Sequence, residues 1–168
     1  MSTKEHQKKA PLSIRCKIIT VSDTRSEETD KSGKLIHELL KSSGHMIVDY
    51  GIAKDERTAI REAVVSGSSR MDIDAILING GTGIAKRDVT HEVVSELLEK
   101  EMHGFGELFR FLSYTEDIGS AAMLSRAVAG TLFDTAIFSM PGSSGAVRLA
   151  MEKLILPELR HVVAELHK

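Results

Sequence analysis

Short runs rich in β-branched residues alternate along this chain with apolar stripes at helical spacing, and that alternation constrains the fold more than any other feature. "IRCKIITVSD" reads as a first strand. "DKSGKLIHELLKSSG" follows, with Leu35, Ile36, Leu39 and Leu40 on one helical stripe, Asp30 as candidate N-cap and Gly44 as stop. "HMIVDYGIA" is a second strand and "DERTAIREAVVSG" a second helix, with Ile60, Ala63 and Val64 inward, Asp55 before its first turn and Gly67 after it. "IDAILING" is the third strand.

The later segments keep the pattern. "THEVVSELLEKEM" carries a stripe of Val93, Val94, Leu97 and Leu98, and Gly104 and Gly106 are expected to interrupt it before "ELFRFLSY" resumes. "RAVAGTLFDTAIFSMPGSSG" reads as a hairpin turning at Phe133 and Asp134, and the last segment as a helix broken or kinked near Pro157. The economical solution is an α/β sandwich with a mostly parallel central sheet and one antiparallel edge.

At 168 residues the chain is sized for one domain. No linker, repeat or low-complexity segment divides it, so residues 13–168 are expected to form a single domain behind a flexible tail of residues 1–12. A formal net charge of -2 with 27% charged residues gives no reason to expect nucleic acid or an anionic membrane. The single cysteine, Cys16, sits in an apolar run and reads as a buried, inert thiol, which suits a reducing cytoplasm. No signal peptide and no membrane span is expected.

In open α/β sheets ligands bind beyond the carboxyl ends of the strands. Four loops qualify: Ser22 to Arg25, Lys54 to Glu56, Gly80 to Asp88, and Pro141 to Gly145. In "INGGTGIAKRDVT", Gly80, Gly81 and Gly83 around Thr82 permit positive φ and leave backbone N–H groups open to a phosphate; tight-turn chemistry is the other reading. The loop matches neither the Walker A pattern nor G-x-G-x-x-G. "MPGSSGAVRLA" places Pro141, Gly142, Ser143 and Ser144 before a helix start, where an anion or simple N-capping would each fit.

Asp55 and Asp88 stand on separate loops that this topology brings to one edge of the sheet. Two carboxylates facing phosphate-binding loops suit Mg²⁺. Each could instead cap a helix, and Asp88 could pair with Arg87. The seven histidines show no metal-ligand spacing and most read as solvated or capping residues, and no G-x-S-x-G elbow is present. Phe105, Phe109, Phe111 and Tyr114 cluster in a chain that is only 4% aromatic, as core or as a subunit interface.

The order and spacing of "VSDTR", "DKSG", "KDE", "INGGTGIAKRDVT", "GFGELFR", "LSRAVAGT" and "SMPGSSGAVRLAMEKLILPELRH" resemble the MoaB/MogA family of molybdenum-cofactor biosynthesis proteins, from Ile14 to His161. The short C-terminus resembles the MoaB branch more than MogA. Asn79 stands where a threonine often precedes the glycines, and His91 where a proline often follows the Arg-Asp-x-Thr segment.

The resemblance implies a three-layer α/β/α fold, trimers or hexamers, and handover to other cofactor-biosynthesis proteins. It implies Mg-ATP-dependent adenylylation of molybdopterin with release of pyrophosphate. On that likeness Gly80, Gly81, Thr82 and Gly83 hold nucleotide phosphates, and Ser22 and Asp23 form the pocket rim. Asp55 and Asp88 are the catalytic, Mg²⁺-holding carboxylates, and Pro141, Gly142, Ser143 and Ser144 form the molybdopterin side. The alternatives are a non-catalytic carrier or scaffold for molybdopterin or its precursor, and a nucleotide-binding module outside that pathway.

Overall fold

The computed structural model describes residues 10–168, so most of the expected tail lies outside the described residues. Ala10 is buried, and Arg160 donates to the carbonyls of Pro11 at 2.7 Å and Ala10 at 3.4 Å. The main chain is therefore fastened to the C-terminal helix already at Ala10.

The elements run β1 (Arg15–Val21), α1 (Lys31–Ser42), β2 (Met46–Ala53), α2 (Arg57–Ser68), β3 (Ala75–Asn79), α3 (Thr90–Leu97), β4 (Lys100–Glu101), α4 (His103–Glu116), β5 (Val128–Leu132), β6 (Thr135–Met140), α5 (Ser144–Ala150) and α6 (Leu156–Leu166). A 3-10 helix spans Gly119–Leu124, and a π-helical turn at Met151–Ile155 joins α5 to α6. The six strands lie in the order β2-β1-β3-β6-β5-β4. β2, β1, β3 and β6 are mutually parallel, and β5 pairs antiparallel with both β6 and β4.

The period of two along each strand divides two apolar cores. Cys16 and Ile18 of β1, Ala75 and Leu77 of β3, and Ala136 and Phe138 of β6 face α1, α4, α5 and α6. Ile19 and Val21, Ile76 and Ile78, and Ile137 face α2 and α3 on the other side. The chain is a three-layer α/β/α sandwich. Strands buried on both faces explain why their sequences read as nearly unbroken apolar runs.

Several local expectations hold. The Asp30 side chain accepts from the N–H of Gly33, capping α1, and Gly44 follows its end with φ of 82°. Others are corrected. Gly104 and Gly106 do not interrupt a helix; both lie inside α4, and the break comes earlier, where β4 adds a two-residue edge strand against β5. A Cβ on Gly106 would stand 2.7 Å from the carbonyl of Ala127, so this glycine allows close packing and stops nothing.

Gly67 likewise lies within α2, where a Cβ would press on Ile76 and Lys17. Pro157 falls in the first turn of α6, where its missing N–H is tolerated, and the irregularity precedes it as the π turn. His45 is buried and accepts from the backbone N–H of Ile14 through Nδ1 at 3.1 Å, so it is neither solvated nor a cap.

Candidate active site

The order β2-β1-β3 reverses direction at β1, because α1 leads outward to β2 while β3 lies on the other side. Such a reversal opens a crevice at the carboxyl ends of the two central strands. Here an open cleft of about 510 Å³ sits on the loops after β1, β2, β3 and β6. Its lining includes Ser22, Asp55, Gly80 to Gly83, Asp88, Pro141 and Gly142, so nine of the twelve site residues singled out from the sequence meet there. A hollow of about 560 Å³ at the opposite end of the sheet lies over the Arg15–Asp74 ion pair and contains none of them.

The glycine loop is bent by two successive positive φ values, 97° at Gly80 and 67° at Gly81. A Cβ on Gly80 would overlap the Val21 carbonyl, and one on Gly81 would meet Thr90 and, at 2.8 Å, the Asp55 carboxylate. A Cβ on Gly83 would stand 2.6 Å from Asp88 Oδ2. The loop thus lies directly against both acids, and only glycine permits that approach.

Neither acid caps a helix. The N-cap of α2 is Glu56 and that of α3 is Val89, both without a side-chain cap bond. Asp88 Oδ2 instead accepts from the N–H of Ala85 at 3.2 Å, across its own turn. Asp55 Oδ1 is buried and has no hydrogen-bond partner among the described residues. Burial pushes the Asp55 carboxyl above its ordinary range, the charges of Asp23 and Asp88 add to this, and Arg87 opposes it. A carboxylate held in that condition gains from a cation.

Asp23 does not line the cleft, but its Oδ1 accepts from the backbone N–H of Asp55 at 3.0 Å. Ser143 and Ser144 do not line it either: Ser143 caps α5 by accepting from Ala146, and Ser144 is the exposed first residue of that helix. Among the described residues no three His, Cys, Asp or Glu side chains converge as a metal cluster. A hard cation here would take the Asp55 and Asp88 carboxylates and complete its shell from substrate phosphates and water, as Mg²⁺ commonly does.

The structure adds groups that single-residue reading missed. Asp30 is fully buried and accepts from Thr20 and Tyr50 hydroxyls, each at 2.6 Å, while Asn79 Nδ2 donates to Thr20 Oγ1 at 2.9 Å. Arg25 lies 3.6 Å from the same carboxylate and donates to Ser32 Oγ at 3.1 Å; Ser32 in turn donates to the carbonyl of Gly142. This network underlies the cleft and ties the loops after β1 and β6 to α1. Arg25 and Arg87 bring positive charge to its lining. Asn79, an apparent departure in the motif, is a structural member of the network.

The family model described as "Probable molybdopterin binding domain" matches residues 17–161. The molybdenum cofactor biosynthesis protein B of Bacillus anthracis is 64% identical over 168 residues, covering 100% of this chain and 99% of that protein. This chain belongs to the MoaB/MogA family. A crystal structure of a molybdenum cofactor biosynthesis protein B superposes with a TM-score of 0.92 at 64% identity, covering 95% of this chain and 99% of the other. The tungsten cofactor synthesizing protein MoaB from Pyrococcus furiosus gives 0.80 at 37% identity, covering 95% and 100%. The similarity to MoaB proteins therefore extends over the whole cleft, including all four loops that line it.

Proposed function

We propose that this protein acts in molybdenum cofactor biosynthesis as a molybdopterin adenylyltransferase that uses Mg-ATP. The observation that carries the reading is the half-buried Asp55 carboxylate: raised in pKa, with a buried Oδ1 that has no partner among the described residues, and set against Gly81 in a loop shaped for phosphate. A capping or structural acid would have its oxygens satisfied by the protein.

In this reaction an oxygen of the terminal phosphate of molybdopterin attacks the α-phosphorus of ATP. The bond from that phosphorus to the bridging oxygen breaks, and pyrophosphate leaves with the electron pair. Gly80 to Gly83 hold the nucleotide phosphates, and Ser22 and Asp23 shape the rim. Pro141 and Gly142 border the pterin side, with Ser143 and Ser144 fixing the start of α5 behind them. Asp55 and Asp88 would hold Mg²⁺, which when bound supplies positive charge against the reacting phosphates. Arg25 and Arg87 add fixed positive charge in the same cleft.

The same reading takes the protein as a cytoplasmic trimer or hexamer that passes its product to other proteins of the pathway. The pure protein incubated with molybdopterin, ATP and Mg²⁺ is expected to form adenylyl-molybdopterin. Binding of molybdopterin with no such product would replace the enzyme by a carrier.

A further inference from the structure

Arg126 lies just before β5, outside the cleft lining, yet it spends its guanidinium on the glycine loop. Nε donates to the carbonyl of Thr82 at 2.9 Å, and Nη2 donates to those of Gly83 at 2.5 Å and Asp88 at 3.3 Å. Its charge is met by Glu92 of α3, whose carboxyl is held below the ordinary range chiefly by that hydrogen bond. The carbonyl of Gly81 is engaged separately, by the N–H of Thr90 at 3.0 Å.

Three consecutive carbonyls, those of Gly81, Thr82 and Gly83, are therefore turned toward protein donors. No peptide bond among the described residues is cis, and a trans peptide sets each N–H opposite the carbonyl of its own plane. The N–H groups of Thr82, Gly83 and Ile84 consequently point away from Arg126 and Thr90, and none donates to an acceptor among the described residues. Successive free N–H groups of this kind form an anion-binding concavity.

We propose that Arg126 is a positioning residue: by holding the carbonyls of Thr82, Gly83 and Asp88 from behind, it turns the loop's N–H groups outward to receive a polyphosphate. It does not read the anion itself, because Glu92 takes its charge. This rests on the function proposed above only in assigning the loop to the nucleotide side. A lysine cannot replace it, since one ammonium lacks the planar fork that reaches three carbonyls and a carboxylate together.

The test uses tripolyphosphate as probe, so that it does not depend on adenylyl transfer. In the parent protein, the amide signals of Thr82, Gly83 and Ile84 should shift on titration with tripolyphosphate in a ¹⁵N-resolved spectrum. Arg126→Lys, with its melting temperature and circular dichroism recorded alongside, should weaken tripolyphosphate binding about tenfold or more. Its molybdopterin affinity should stay near that of the parent, as a general loss of fold would not allow. Glu92→Gln, which leaves the guanidinium in place, should weaken tripolyphosphate less than Arg126→Lys.

Parent-like tripolyphosphate binding in Arg126→Lys would overturn the proposal, as would equal loss of both ligands or a parent whose three amides do not respond. A parent that binds tripolyphosphate through those amides and makes no adenylyl-molybdopterin would leave this inference standing and remove the enzyme reading instead.

Discussion

The carboxylate of Asp23 accepts a hydrogen bond from the backbone N–H of Asp55 at 3.0 Å, so the loop after β1 fixes where the loop after β2 presents its acid. Three carboxylates then share one electrostatic neighbourhood, because Asp23 and Asp88 both raise the pKa of Asp55. Such crowding opposes folding and favours a cation.

That conflict yields a stability prediction with a definite sign. Because the folded state holds the Asp55 proton more tightly than the unfolded chain does, its contribution is fully present below the ordinary value of 3.8 and is lost as pH rises through the raised one. At neutral pH the ionised Asp55 is a net cost. Asp55→Asn should therefore melt no lower than the parent at pH 7 without Mg²⁺, with the difference disappearing in acid. Turnover should fall at least about a hundredfold in both Asp55→Asn and Asp88→Asn. Paired melting curves and rates check this.

His45 gives the opposite pH dependence. Its Nδ1 must stay unprotonated to accept from Ile14, and burial first, then Arg160, lowers its pKa below 6.5. The stability it contributes is present above 6.5 and lost as pH falls through the lower folded value. His45→Gln should flatten the acid limb of a stability profile measured by urea unfolding at stepped pH.

The Asp30 network should behave as one unit. Asp30→Ala leaves the Thr20 and Tyr50 hydroxyls and the Gly33 N–H without their acceptor, at an expected cost of about 3 kcal/mol. Tyr50→Phe removes one donor and should cost about 1 kcal/mol. Denaturant titration of both variants and their combination should show less than additive loss.

The aromatic segment divides between core and surface. Phe105 and Phe109 are buried, and Phe105 meets Phe138 edge to face at 5.6 Å. Phe111 and Tyr114 are 62% and 60% exposed, beside Leu108 on α4. That outward row supports the proposed oligomer. Light scattering should give a trimer or hexamer that Phe111→Ser weakens; a stable monomeric parent at micromolar concentration would refute it.

The five longer strands, the layered sheet and the convergence of four loops were legible because they depend on periodicity and chain order, whereas the two-residue edge strand β4 is too short to carry a period. The glycines of α2 and α4 were not. Gly67 and Gly106 look like helix stops in sequence, whereas their role is set by what packs against them, Ile76 and the Ala127 carbonyl. Asp30 was readable as a cap, but its fuller role depends on Thr20, Tyr50 and Asn79, which only the folded sheet brings together. Arg126 was invisible for a related reason: it acts on a loop more than forty residues earlier in the chain. Asp55 was balanced between capping and chemistry, and its unpartnered oxygen favours chemistry.

The central claim is that Asp55, Asp88 and the glycine loop transfer an adenylyl group to molybdopterin. Its most direct measurement supplies the protein with molybdopterin, Mg²⁺ and ATP radiolabelled at the α-phosphate, then follows the label. The predicted result is label on the pterin with an equal amount of pyrophosphate released, abolished by Asp88→Asn. Label that stays in ATP while molybdopterin is bound by the parent protein would contradict it.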